Sequence, residues 1–416
     1  MTSEPQDREP GALTGLRVLD LSRVLAGPWS SQLLADLGAE VVKIERPGGG
    51  DDTRAWGPPW LADVEGEPTS ESAYFLSANR NKQSVTIDIG QQEGQRLVAR
   101  LAGEADVLIE NFKVGNLARY GLDYATLKER NPRLIYCSIT GFGQTGPYAA
   151  RPGYDFLMQG MGGLMSITGR PDGSDGGGPQ KVGVALTDVL TGLYATVAIL
   201  AALARRERSG TGQHIDLALL DVQVASLANQ ASSYLVGGSA PKRLGNAHPS
   251  IVPYQDFPSA DGHVIIAVGN DGQFAQLCKV LGVTEWSSDT RFSTNPQRVA
   301  NREILVPAIA EITRTRTTAQ WVAAMESAGV PGGPINTIDR VFDDPQVQAR
   351  GMRIELEHTA ARRPVPFVAN PIRLSESPVQ YRSAPPTLGQ HTSDVLGAWL
   401  SMGKGDIAQL KERGVT

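Results

Sequence analysis

Hydrophobic and polar positions trade places along the first 145 residues in short blocks, and the blocks predict strands and helices in turn. LRVLDLS (16–22) is an apolar run of strand length, AGPWSSQLLADLG (26–38) a turn followed by a short amphipathic helix, and AEVVKIE (39–45) a second apolar run stopped by RPGGGDD. Strand, helix and strand at this spacing predict a parallel pair joined by a right-handed crossover. SVTIDI (84–89) predicts a third strand, EGQRLVARLAGEA (93–105) a helix, DVLIEN (106–111) a fourth strand and RLIYCSITGFG (133–143) a fifth. The alternation predicts a doubly wound α/β domain, whose ligands sit beyond the carboxyl ends of its strands.

Further on, RRERSGTGQHIDLAL reads as a turn into another strand, followed by the Gly-rich, less regular GGSAPKRLGNAHPSIVPYQDF. DGHVIIAVG (261–269) and QFAQLCKVLG (273–282) read as strand then helix and, with helices to about residue 330, predict a second, smaller α/β unit. From about residue 345 the chain is Pro-rich and extended (RRPVPFVANPIRLSESP), and it ends in a short helix, SDVLGAWL. Such a stretch crosses a surface more readily than it builds a core.

One block breaks the pattern. VGVALTDVLTGLYATVAILAALA carries a single charged side chain, Asp188, between Lys181 and Arg205. Its length would suit a bilayer, but the Asp, Thr187, Thr191, Gly192 and Thr196 within it argue for a core helix. Burying a lone carboxylate is costly, so Asp188 is the candidate reactive group. It also suits a helix N-cap, since the helical pattern starts just after it, and the helix dipole would favour its ionised, nucleophilic form.

Composition narrows the function. At 416 residues two domains are expected, and 41% hydrophobic with 20% charged residues is ordinary for a globular protein. A net charge of -5 argues against nucleic acid as partner. Two cysteines, Cys137 and Cys278, lie in apolar segments, which points to a reducing compartment, and the polar N-terminus MTSEPQDREPGALTG resembles neither a signal nor a transit peptide. The expected location is the cytoplasm, away from membranes. The five histidines are scattered, so no metal site and no permanently bound cofactor are expected.

The strand ends carry the remaining chemistry. RPGGGDDTR (46–54) lacks the Gly-Lys-Ser/Thr of a P-loop, and QGMGGLMSITG (159–169) has Met165 where a dinucleotide fingerprint needs its last Gly. Arg46, Asn111, Phe112 and Arg119 remain as groups able to hold a phosphate-bearing ligand with a flat base, although surface ion pairs are the commoner use of either arginine.

The runs LDLSRVLAGPWSSQLLADLGAEVVKIERPGGGDDTR, NRNKQSVTIDI, DVLIENF, PRLIYCSITGFGQTGP, RPGYD, GVALTDVLTGLYA and LGQHT, in this order, resemble the class III coenzyme A transferases from about residue 13 to 393. The resemblance implies a Rossmann-like large domain with a parallel sheet (1–225, completed by 345–416), a small α/β domain with linkers (226–344), and an interlocked ring-like homodimer. It implies acyl-CoA and a free carboxylic acid as substrates. DDTRAWGPPW, SANRNK, GNAHPSIVPYQDF and GVPGGPIN look most like members that use succinyl-CoA as donor and glutarate or a similar dicarboxylate as acceptor. The position that forms the acyl-enzyme matches Asp188. CoA contacts match Val24, Leu25, Arg46, Ile87, Asn111, Phe112 and Arg119, and a tyrosine near the acyl group matches Tyr154. The glycine-rich loop of the oxalate members is replaced by GNAHPSIVPY with His248, and their Gln by Leu25, which speaks against oxalate. A distal carboxylate needs a cation, for which Arg23, Arg54 and Arg243 are candidates.

In chemical terms, Asp188 attacks the thioester carbonyl to give an aspartyl anhydride, and CoA thiolate then converts it to an aspartyl-CoA thioester. Two alternatives stay open. An α-methylacyl-CoA racemase would show Gly-His-Asp at Gly153-Tyr154-Asp155, and a phenol is no base near neutral pH. A catalytically silent acyl-CoA binder would have no use for Asp188.

Overall fold

The computed structural model describes residues 10–416, in two compact units. The first comprises the chain through Gly163, Gly183–Ala228 and Gln348–Thr416; the second comprises Leu164–Val182 and Asn229–Val347.

The first unit is built on a six-stranded parallel sheet. Its strands are β1 (Arg17–Asp20), β2 (Glu40–Glu45), β5 (Lys82–Thr86), β6 (Val107–Glu110), β7 (Ile135–Thr140) and β8 (His214–Ala218), in the order β5-β2-β1-β6-β7-β8. A short antiparallel hairpin, β3 (Trp60–Ala62) and β4 (Pro68–Ser72), lies between β2 and β5 in sequence. Neighbouring residues of the strands feed different cores. Leu19, Val42 and Leu108 join one cluster with Val85, Leu97 and Trp399, while Val18, Val41 and Ile109 join another with Ile135, Ala195 and Ile199. That double burial is why the strands read as continuous apolar runs rather than alternating ones.

Helices cover both faces. They include α1 (Ala26–Asp36), α2 (Gln92–Glu104), α3 (Asp155–Met161) and α4 (Leu186–Ser209). Among the described residues α4 alone is long and apolar enough to cross a membrane, yet it buries Asp188, Thr191 and Thr196 inside this unit. Gly192 is what lets α4 approach α1, because a Cβ there would sit 2.8 Å from the Ala26 carbonyl oxygen and 3.0 Å from Trp29 Cβ.

Several boundaries differ from the sequence reading. The third predicted strand begins at Lys82 rather than Ser84 and ends at Thr86. The Lys82 side chain is fully buried against Asp20, Asn79 and the Pro28 carbonyl. Past residue 345 the extended chain contains an antiparallel pair, Arg353–Leu356 with Val365–Val368. Beyond the expected terminal helix, here Thr392–Leu400, follows a second one, Lys404–Glu412, whose Ile407 and Leu410 join the first core.

The second unit has a three-stranded antiparallel sheet, with β10 (Gly262–Ala267) between β9 (Tyr254–Ser259) and β11 (Gly332–Pro334). Helices Asp271–Leu281, Arg302–Thr313 and Thr318–Ser327 pack on it around Phe257, Val264, Phe274, Leu305 and Trp321.

Candidate active site

In the large sheet β1 has β2 on one side and β6 on the other, so the strand order reverses there. Ligands of open parallel sheets bind beside such a reversal, past the carboxyl ends. Two cavities open at that place. One, of about 290 Å3, is lined by Arg46, Ile87, Asp88, Asn116, Tyr120 and the buried Lys43 among others. The second, of about 170 Å3, is lined by Val24, Leu25, Asn111, Tyr154, Asp188 and the loop through Arg151 among others. Arg23, Asp52 and Phe112 line both.

Most of the sequence candidates therefore meet in one place. Arg46 and Ile87 fall in the first cavity, Val24, Leu25, Asn111, Tyr154 and Asp188 in the second, and Phe112 stands between them. Arg119 does not join them. It is exposed on a short 3-10 segment, Leu117–Tyr120, and its neighbour Tyr120 lines the cavity in its place. His248 belongs to the second unit, where its ring meets Tyr254 at 5.4 Å and its Nδ1 accepts from the Ser250 amide, and it lines neither cavity.

The three candidate cations for a distal carboxylate separate on structural grounds. Arg54 is excluded: it is buried, its guanidinium holds Glu45 and Glu71 and lies 3.7 Å over the Phe75 ring. Arg243, in the second unit, donates to Asp172 and to the Ser166 carbonyl. Arg23 stays at the cavities, paired with Asp52 at 2.8 Å and 5.5 Å over Phe112. Lys113 and Arg151, which sequence reasoning passed over, also line the second cavity.

Asp188 sits in the first turn of α4 and is 9% exposed. It is not the N-cap; that position is Ala185, which has no capping side chain. The cap comes from elsewhere in the chain. The Asp155 carboxylate, at the start of α3, accepts from the Thr187 amide at 2.8 Å and from the Asp188 amide at 3.4 Å, and it also takes the Gln159 side-chain amide. Thr187 Oγ1 donates to Gln223 at 2.6 Å, which fixes the turn from the other side.

This arrangement corrects the expected charge state. Burial, aided by the Asp155 carboxylate, pushes the Asp188 carboxyl up to about 7 from an ordinary 3.8. Burial, with the negative cap beside it, outweighs the helix dipole. Tyr74 feels the same field: burial and then Asp188, Asp155 and Asp51 push its phenol up to about 12. Asp155 is marked in sequence only as part of RPGYD, and nothing in its spacing links it to residue 188; Tyr74 is not marked at all.

A buried carboxyl raised toward neutral pH, in a cavity lined also by Arg23, Lys113 and Arg151 and sharing lining residues with a second cavity that carries Arg46, suits covalent chemistry on a long anionic ligand. The model for CoA-transferase family III matches residues 13–392. The chain belongs to CoA-transferase family III. It is a CoA-transferase, and CoA thioesters are the substrates of its relatives. It is 53% identical to a succinate–glutarate CoA-transferase of Agrobacterium fabrum, over 95% of this chain and 97% of that one. It is 44% identical to a human succinyl-CoA:glutarate CoA-transferase, over 97% and 89% of the two chains. Among solved structures it resembles a CaiB/BaiF family protein of Brucella suis, with 52% identity, a TM-score of 0.83, and coverage of 94% of this transferase and all of that chain.

Proposed function

We infer that this CoA-transferase moves CoA from succinyl-CoA to a free dicarboxylate such as glutarate, with Asp188 as nucleophile. The observation that carries the reading is the position of Asp188, a buried carboxyl in the cavity whose far side continues past Phe112 to the Arg46 rim. The names of the relatives supply the acids.

In this mechanism the adenine end lies against Ile87 and Arg46, and the thioester reaches Asp188 by way of Val24 and Leu25. The carboxylate of Asp188 adds to the thioester carbonyl, the C–S bond breaks, and CoA leaves as thiolate, giving a mixed anhydride. The thiolate then adds to the aspartyl carbonyl and the donor acid departs, leaving an aspartyl-CoA thioester. The acceptor carboxylate attacks that thioester, and the returning thiolate takes the acceptor acyl group, which frees Asp188. Anhydrides hydrolyse, so the narrow cavity serves by keeping water out. Only the ionised Asp188 can attack, so the rate rises as pH passes through about 7. Arg23, already poised by Asp52 and Phe112, is the cation best placed for a distal carboxylate.

Two further expectations accompany this reading. Leu193, Tyr194 and Val197 are exposed apolar side chains on α4, which an interlocked homodimer would cover. Both cysteines are free and buried, in keeping with the cytoplasm.

The test incubates purified protein with succinyl-CoA and a panel of free dicarboxylates, beside Asp188→Ala, and reads the acyl-CoA products by mass spectrometry. New acyl-CoAs with the wild type and none with the variant are expected. Equal turnover by the variant, or no exchange with any acid, would overturn the reading.

A further inference from the structure

The turn that joins β1 to α1 contains Val24 with a φ of 72°. A β-branched residue in left-handed backbone is unfavourable, and such strain persists only where the surroundings impose it. Here they do so at every step. The Ser22 amide donates to Asp20 at 2.9 Å, and the Ser22 carbonyl accepts from Lys43 at 2.7 Å. Both main-chain groups of Arg23 are taken by one side chain: the amide donates to Asn111 Oδ1 at 2.9 Å and the carbonyl accepts from Asn111 Nδ2 at 2.7 Å. The Val24 amide donates to the Asp51 carboxylate, at 3.2 and 3.3 Å to its two oxygens.

The groups that grip the turn are themselves locked. Lys43 and Asp51 form an ion pair of 2.9 Å with both side chains fully buried. Asp51 also accepts from the Thr53 amide and hydroxyl, while its own amide donates to Glu45. Breaking such a pair would leave an uncompensated buried charge, so the pair is a rigid anchor. Asn111 grips from the other side of the strand-order reversal, at the end of β6. Five consecutive main-chain polar groups are thus held by side chains from four separate stretches of chain, and the residues they place, Val24 and Leu25, line the cavity of Asp188.

We propose that the buried Lys43–Asp51 pair and Asn111 are positioning residues that clamp Val24 in its left-handed conformation, giving the turn the shape against which a CoA thioester is seated. The inference rests on the reading of this site as the CoA site. It assigns Asn111 a grip on the turn rather than a direct hold on the ligand.

Glycine adopts left-handed backbone without a clamp, which supplies the test. CoA affinity is measured by calorimetry, and kcat and KM for acyl-CoA by mass spectrometry, for Asp51→Asn, Asn111→Ala, and each combined with Val24→Gly. Thermal unfolding accompanies every variant. Each single variant is expected to bind CoA about tenfold more weakly, and adding Val24→Gly is expected to restore most of that loss without restoring the unfolding temperature. A merely structural role for Asp51 would leave the affinity loss tied to the unfolding temperature, and a direct ligand contact by Asn111 would leave its loss unrescued; either result overturns the proposal. Should Asp51→Asn fail to fold, the Asn111 pair alone decides, since that side chain lies at the accessible face of the turn. If the wild type itself binds no CoA, the proposed function falls and this inference with it, whereas wild-type binding that survives both single variants removes the clamp alone.

Discussion

Asp188→Asn is expected to abolish transfer while making the protein more stable at alkaline pH. The wild-type carboxyl sits at about 7 in the folded chain against an ordinary 3.8, because burial and Asp155 oppose its charge. A carboxyl whose folded value is raised binds its proton more tightly in the folded state than in the unfolded one. Stability therefore falls as pH rises from about 4 to about 7, and above that window the full cost of the charge is present. The displacement corresponds to about 4 kcal/mol, an upper figure because hydration of the cavity relieves part of it. Asparagine keeps the shape and removes the charge. Urea unfolding of both proteins from pH 5 to pH 9 should show the variant gaining stability relative to the wild type up to about pH 7 and levelling off above it, by at least 1 kcal/mol at pH 8 and most of the expected figure if the cavity is dry. A variant no more stable than the wild type at pH 8 would refute the claim that Asp188 is held under electrostatic strain.

Other perturbations have equally definite outcomes. Asp155→Asn keeps an acceptor for the Thr187 amide but removes a negative charge that helps to raise the Asp188 carboxyl, so the acid limb of the pH–rate profile should move below 7, and an upward move would contradict the assigned cause. Arg54→Met strands Glu45 and Glu71 in the core and should cost about 3–5 kcal/mol in chemical unfolding without altering the choice of acceptor acid; a shift in acid preference would reinstate Arg54 as a carboxylate receptor. Gly192→Ala forces α4 away from α1 and should cost about 1–3 kcal/mol while lowering kcat/KM, because α1 begins at the clamped turn; a stable variant of unchanged rate would show that the contact is slack.

How far the sequence spoke for itself varied with the kind of feature. Strands buried on both faces announced themselves as apolar runs, and Asp188 stood out because nothing charged lies near it along the chain. Features that depend on pairing across the fold stayed hidden. Lys43 and Lys82 are both fully buried, against Asp51 and Asp20, and neither pairing can be read from neighbours along the chain. Arg54 read as a ligand cation for the same reason: its partners Glu45 and Glu71 come from strands brought beside it only by folding. The N-cap of α4 was misplaced onto Asp188 because the true acceptor, Asp155, is over thirty residues upstream. The segment Leu164–Val182 clusters with Asn229–Val347; its Gly- and Pro-rich run GRPDGSDGGGPQK stands out in the sequence, but nothing along the chain ties it to that later stretch.

The most direct measurement is the intact mass of the wild-type protein quenched in acid moments after mixing with succinyl-CoA and no acceptor acid, followed by peptide mapping. A protein heavier by one CoA less one water, with the added mass on the peptide that contains Asp188, is predicted, and the adduct should disappear when a dicarboxylate is supplied. An unmodified protein that nonetheless transfers CoA, or an adduct on any other residue, would contradict a mechanism that runs through Asp188.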